Sequence, residues 1–199
     1  MSTADVVIVD SGGANLASLG FALQRLGASS QVSADARVIG AARRVMLPGV
    51  GAAQDAMARL QALQLVDCLR ALQQPLLGIC LGMQLLFSHS AEGATDCLGI
   101  VAGTVQRLVP VSGRPVPHMG WNCCRQTAAD ALLHGIGARD YFYFVHGYAA
   151  ASTADTTAVA DYGSPFSAVV SHGNFHGVQF HPERSSAPGA RVLANFLAL

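Results

Sequence analysis

Four consecutive apolar residues, Val6-Val7-Ile8-Val9, open the chain and stop at Asp10. An unbroken run of this kind predicts a parallel strand buried on both faces. Ser11-Gly12-Gly13 follows, and then Leu16, Leu19, Leu23 and Leu26 recur at helical spacing up to Gly27. A second strand is expected around Gln31-Val32. A third, Val45-Met46-Leu47, runs into Pro48-Gly49-Val50-Gly51. From Ala52 to about Leu72 the apolar positions Met57, Leu60, Leu63, Val66 and Leu69 return every three residues, which predicts one helix. Pro75-Leu76-Leu77-Gly78-Ile79 reads as a fourth strand and Leu81 to His89 as another helix. Strand and helix alternate, so this half implies a parallel sheet wound with right-handed crossovers.

After about residue 95 the pattern changes. Short β-like runs are expected near 99–109, 116–125, 141–147, 156–162, 166–172 and 175–180, with Gly, Pro or Asp between them, and Val192 to Leu199 as a closing helix. No linker, repeat or low-complexity tract divides the chain. The expected architecture is a single α/β domain over residues 1–199, with a mixed, mostly parallel sheet and helices on both faces.

Composition narrows the chemistry. Hydrophobic residues make up 51% of the 199 positions and charged residues 12%, which argues for a folded core rather than disorder. No apolar run approaches the ~18 residues that a membrane span needs, and the N-terminus lacks a signal-peptide pattern. A soluble, cytoplasmic protein is expected, with no membrane association. All 12 basic residues are arginine, and the absence of lysine excludes the phosphate-loop, Schiff-base and kinase lysines. Net charge is zero with scattered arginines, so no nucleic-acid footprint is present. The five cysteines are odd in number and contain no C-x-x-C, which disfavours a disulfide framework. No metal site or cofactor is implied.

Gly78-Ile79-Cys80-Leu81-Gly82 places a cysteine between a strand and a helix with glycine two residues away on each side, the pattern of a nucleophile elbow with sulfur in place of oxygen. The turn must be sharp for one side chain to project from the top of the sheet, and glycines remove the Cβ atoms that would collide with nearby backbone. A helix N-terminus at Cys80 favours thiolate over thiol, and the Leu81 N–H is placed to donate to an oxyanion. Read alone, the pentapeptide is also compatible with a buried structural cysteine. A hundred residues on, Val178-Gln179-Phe180 leads into His181-Pro182-Glu183. Proline restricts the preceding histidine to extended conformations. In an extended segment positions two apart share a side, so Glu183 can hold one ring nitrogen of His181 while the other faces Cys80. Pro48-Gly49-Val50-Gly51 completes the set, since its glycines let backbone N–H groups approach developing negative charge.

Together GICLGMQ, QFHPE and LPGVG resemble the class I glutamine amidotransferase (triad glutaminase) family, in order and spacing over almost the whole chain. The start VDSGGANLASLGFALQRLG, Pro117-His118-Met119-Gly120-Trp121-Asn122 and Tyr143-Phe144-Val145-His146 look like one branch of it, the glutaminase subunits of imidazole glycerol phosphate synthases in histidine biosynthesis. The resemblance implies Cys80 attacking the glutamine side-chain amide, His181 as base and then acid, and Glu183 orienting the histidine. It further implies an oxyanion held by Leu81 and the Gly49–Val50 loop, and glutamine surrounded by Gly51, Gln84, His146, Gly147 and Tyr148. Ammonia would pass to a separate (β/α)₈ cyclase subunit, near the faces carrying Asn15, His118, Met119, Trp121 and Asn122.

The chain departs from the branch pattern at Ser11, Ala14 and Gly147, where a tyrosine, a glycine and a hydroxyl residue are usual. These departures bear on the glutamine pocket and the partner face, not on the triad. Rival readings are another glutaminase branch, a free-standing cysteine peptidase or γ-glutamyl hydrolase, and a non-catalytic binding module on the same fold.

Overall fold

The computed structural model describes residues 4–11 and 16–199. In chain order the elements are β1 (Val6–Val9), α1 (Leu16–Arg25), β2 (Ser30–Ser33), α2 (Ala36–Gly40), β3 (Val45–Gly49), α3 (Ala53–Ala62), α4 (Val66–Arg70), β4 (Leu76–Cys80), α5 (Leu81–Gln84), β5 (Phe87–Ser90), β6 (Thr95–Asp96), β7 (Val101–Arg107), β8 (His118–Cys123), β9 (Arg125–Gln126), β10 (Tyr141–His146), β11 (Tyr148–Ala150), β12 (Thr156–Asp161), β13 (Pro165–His172), β14 (Phe175–Val178) and α6 (Ser186–Leu197).

The main sheet runs β2-β1-β3-β4-β14-β13-β12-β9. The first five strands are mutually parallel and the last three antiparallel, so the sheet is mixed, as the alternating and then strand-rich pattern implied. Strand alternation sorts its side chains into two cores. Val6 and Ile8 face a cluster with Leu19 and Leu23 of α1 and Val192, Leu193 and Phe196 of α6. Val7 and Val9 face the other, with Ile39, Met57, Leu60 and Leu69 from α2, α3 and α4. Burial on both faces is why β1, β3 and β4 read as unbroken apolar runs. A smaller sheet, β11-β7-β5-β6, and the β8–β10 ribbon complete the fold. Among the described residues no helix is long and apolar enough to cross a membrane.

Two expected elements differ. The helix over 52–72 is broken into α3 and α4, with Gln64 at φ 56° between them and Leu65 N–H donating to the Leu60 carbonyl. Residues three apart on a helix advance by about 300°, so a strict three-residue stripe walks about 60° round the cylinder at each step. One straight helix could not bury Met57 through Leu69 against a single surface, and Leu63 is accordingly exposed. The helix over 81–89 stops at Gln84, and Phe87–Ser90 instead pairs in parallel with β7. A short apolar run such as Leu85-Leu86-Phe87 has no periodicity to separate strand from helix. The short helix α2 was not anticipated, although Asp35 is a conventional N-cap whose carboxylate accepts from Arg37 N–H at 2.8 Å.

Candidate active site

Strands β3, β4 and β14 are adjacent and parallel, with Gly49 in register with Cys80 and Ile79 with Val178. Their carboxyl ends therefore bring Gly49, Cys80 and the segment Gln179–His181 to one edge of the sheet. This is where open α/β sheets offer a crevice to ligands. A cavity of about 340 Å³ opens there, and Cys80, His181, Glu183, Gln84, His146 and Tyr148 are among the residues that line it. Gly49, Val50, Gly51, Leu81 and Gly147 line it too.

Cys80 sits at φ 55°, ψ −111°, a backbone conformation rare for a residue with a side chain. The turn leaves no room around it. A Cβ at residue 78 would stand 2.7 Å from the Gly82 carbonyl oxygen, and one at residue 82 would stand 1.7 Å from that of Leu47. Both elbow glycines are thus required by close backbone approach.

His181 is extended at φ −97°, ψ 98°, as its proline neighbour demands. Its N–H donates to the Tyr143 carbonyl and its carbonyl accepts from Ser185 Oγ at 2.6 Å, which pins the backbone on both sides. Its Nδ1 lies 2.9 Å from Glu183 Oε1, and both side chains are about nine-tenths buried. The geometric reason differs from the one expected. Pro182–Arg184 is a 3₁₀ turn, not a continued strand, and the turn folds Glu183 back onto the ring. Burial alone would push the His181 pKa down. Hydrogen bonds to Cys80 and Glu183, and their charges, outweigh that and raise it to about 10. The balance favours the protonated ring.

The chain belongs to the class-I glutamine amidotransferase family, whose model matches residues 7–199.

A relative from Xanthomonas euvesicatoria, named imidazole glycerol phosphate synthase subunit HisH, is 55% identical over 98% of both chains. One of the same name from Xylella fastidiosa strain Temecula1 is 50% identical over 98% of both. Among solved structures, one described as a glutamine amidotransferase superposes with TM-score 0.76 at 19% identity, covering 98% of this chain and 97% of that one. A putative GMP synthase subunit from Thermoplasma acidophilum gives 0.75 at 16%, covering 100% and 94%. These two show that the family fold is present.

The amidotransferase crevice holds polar residues that the motifs did not single out. Gln179 is fully buried, and its Nε2 lies 3.7 Å from Cys80 Sγ. Its place inside QFHPE was visible, but a glutamine in a strand gives no signal of its direction. Glu92, one of only two glutamates, lines the cavity and accepts from Ala53 N–H at 2.8 Å, tethering the start of α3 just after the Pro48–Gly51 loop. Arg184 also lines the cavity, with its guanidinium 4.9 Å from the Tyr143 ring. Ser11, one of the departures from the branch pattern, donates through Oγ to the Pro48 carbonyl at 3.2 Å.

His146 and His118 form a buried pair. Their facing nitrogens, His146 Nε2 and His118 Nδ1, are 3.0 Å apart, and His146 Nδ1 lies 2.8 Å from the Tyr148 carbonyl. Since that carbonyl only accepts, His146 carries its proton on Nδ1 and takes a hydrogen bond from His118. Burial pushes both pKa values down, to about 3 for His146 and about 4 for His118.

His118 therefore does not share an exposed face with its neighbours. Within β8 it points inward at 2% exposure, while Met119 and Trp121 point outward at 62% and 52%. Alternation along the strand separates them. Trp121 meets Tyr143 edge-on across the ribbon, with ring centroids 5.8 Å apart. Asn122 Nδ2 donates to the Asp161 carbonyl at 2.9 Å. Asn15 lies outside the described residues.

Proposed function

We propose that this chain is the glutaminase subunit of an imidazole glycerol phosphate synthase, acting in histidine biosynthesis as a Cys-His-Glu enzyme. The branch is carried by relatives of that name at 50–55% identity over 98% of the chain. The chemistry is supported by Cys80 on a strained elbow beside a His181–Glu183 pair at the ends of adjacent strands.

Cys80 Sγ attacks the side-chain amide carbon of glutamine. The imidazolium of His181 gives its proton to the departing nitrogen, and a glutamyl thioester remains on sulfur. Water, deprotonated by the now neutral His181, attacks the thioester, releases glutamate and restores Cys80. Glu183 keeps the ring aligned through both halves. The oxyanion is held by the Leu81 N–H and a donor from the Gly49–Val50 loop, each such donor contributing ~10²–10³ in rate. Glutamine lies among Gly51, Gln84, His146, Gly147 and Tyr148. The Glu92 carboxylate is the cavity's anionic counterpart for the substrate's α-ammonium group. Gly147 offers backbone contacts only, with no hydroxyl.

Ammonia passes to a separate cyclase subunit with a (β/α)₈ barrel. The exposed side chains of β8, Met119 and Trp121, with the partly buried Asn122 beside them, form part of the face that meets it. Asn15 is a further contact in this reading. His118 supports this face from beneath.

Glutamine hydrolysis by the purified chain, alone and then with an imidazole glycerol phosphate cyclase and its nucleotide ligand, tests the reading. Activity rising steeply only in the mixture is expected. High activity alone, indifferent to the cyclase, assigns the chain to another glutaminase branch or a free-standing hydrolase.

A further inference from the structure

One backbone carbonyl fixes the polar surroundings of Cys80. Tyr148 O can only accept, and it lies 2.8 Å from Gln84 Nε2. The Gln84 amide is thereby oriented, and its nitrogen also donates to Gln179 Oε1 at 2.9 Å. With its oxygen committed to Gln84, Gln179 must turn its own –NH₂ toward Cys80 Sγ, 3.7 Å away. Reversing the Gln179 amide would set two –NH₂ groups against each other at a residue with no solvent exposure. Buried donors without acceptors are costly, so the order of atoms from carbonyl to sulfur is forced.

We infer that Gln179 is a positioning residue for the nucleophile: its side-chain N–H holds the Cys80 sulfur in its attacking orientation, and Gln84 keeps that N–H aimed. The inference rests on Cys80 being the nucleophile. A second polar neighbour sharpens it. Val145 O lies 3.7 Å from Cys80 Sγ and can only accept. The protonated thiol therefore turns toward Val145, whereas the charged sulfur needs donors, which Gln179 and His181 supply. His181 belongs to the reaction and gives up its proton during it. Gln179 keeps its N–H throughout, so the direction of the sulfur does not depend on the proton in transit. Gln84 thus has two tasks, lining the glutamine cavity and orienting the amide behind the sulfur.

A merely structural Gln179 would affect stability and leave the reactivity of the folded protein unchanged. Labelling of Cys80 by iodoacetamide, followed by mass spectrometry across pH on the full chain, separates the two. Gln179→Met removes the donor, and Gln179→Asn keeps the amide but withdraws it by about one C–C bond. Circular dichroism melts identify the temperature at which each variant is folded. Cys80 in the unmodified chain is expected to label ahead of the partly exposed Cys68 and Cys123. In both variants its labelling should slow about ten-fold at neutral pH, as for loss of a hydrogen bond to a charged group. The labelling profile should move to higher pH, and kcat for glutamine should fall more than KM rises. Folded variants that label Cys80 at the original rate and pH overturn the role of Gln179 and leave the nucleophile standing. If Cys80 in the unmodified chain labels no faster than Cys68 and Cys123, the nucleophile reading falls and this inference falls with it.

Discussion

Gly82 packs directly against Leu47: a Cβ at position 82 would lie 1.7 Å from the Leu47 carbonyl oxygen and 2.8 Å from its carbonyl carbon. Helix α5 and strand β3 are therefore in backbone contact, and this contact sets the distance between Cys80 and the Gly49–Val50 loop. Gly82→Ala should destabilise the fold by at least the ~1–3 kcal/mol typical of overpacking, because a backbone carbonyl cannot step aside like the end of a flexible side chain. Urea denaturation gives the stability change, and glutamine hydrolysis on the folded fraction should fall with it. A variant with unchanged midpoint and activity would contradict this account of the elbow.

The backbone at Cys80 leads to a second expectation. Cys80→Ala should abolish glutamine hydrolysis while added ammonia still supports synthesis by the cyclase. It leaves a Cβ at φ 55°. Cys80→Gly is equally inactive but relieves the strain of a left-handed conformation, of order 1 kcal/mol or more. Glycine at 80 should therefore be the more stable of the two inactive variants by thermal denaturation. The reverse order would mean that the elbow stores no strain.

The parallel half of the sheet could be read from unbroken apolar runs, since burial on both faces leaves no polar position in β1, β3 or β4. The elbow could be read because backbone crowding permits only glycine at 78 and 82, which leaves a mark in the sequence. Gln64 left no such mark: a non-glycine residue at positive φ breaks α3 from α4, and nothing in its side chain announces it. The Gln84–Gln179 pair was equally silent. Its meaning lies in which end of each amide faces which neighbour, and residues 95 positions apart acquire that relationship only when β4 and β14 become adjacent. The resemblance implies one partner-facing set that includes His118, Met119 and Trp121, but it does not say which way His118 points. Strand alternation turns it into the core, where it stacks on Tyr162 with ring centroids 4.0 Å apart.

Glu183 contributes to the high pKa of His181, and its removal should be visible in the pH profile. Glu183→Gln keeps the shape and an acceptor for Nδ1 but removes the negative charge. In the unmodified enzyme kcat/KM should hold up until the imidazolium deprotonates near pH 10. Without the carboxylate charge the imidazolium is less favoured, so the basic limb should move to lower pH. Activity at neutral pH should fall by less than in Cys80→Ala, since His181 keeps its contact with the sulfur. A basic limb that stays in place would remove Glu183 from the control of His181.

The His118–His146 pair predicts how the protein responds to acid. Both imidazoles are held neutral, with pKa values near 4 and 3 against an ordinary value of 6.5. Below pH 6.5 the unfolded chain binds protons at these positions and the folded chain does not. Stability is therefore complete above pH 6.5 and declines as pH falls toward 4, by up to about 1.4 kcal/mol per pH unit for each histidine. His118→Phe keeps a ring able to stack between Phe144 and Tyr162 but removes one such group, together with its hydrogen bond to His146. Urea denaturation at intervals from pH 7 to pH 4.5 measures the effect. The variant should begin less stable at pH 7 and lose stability less steeply, by about one proton. A slope equal to that of the unmodified chain would show that His118 takes up a proton in the folded state, and the neutral hydrogen-bonded pair beneath β8 would have to be abandoned.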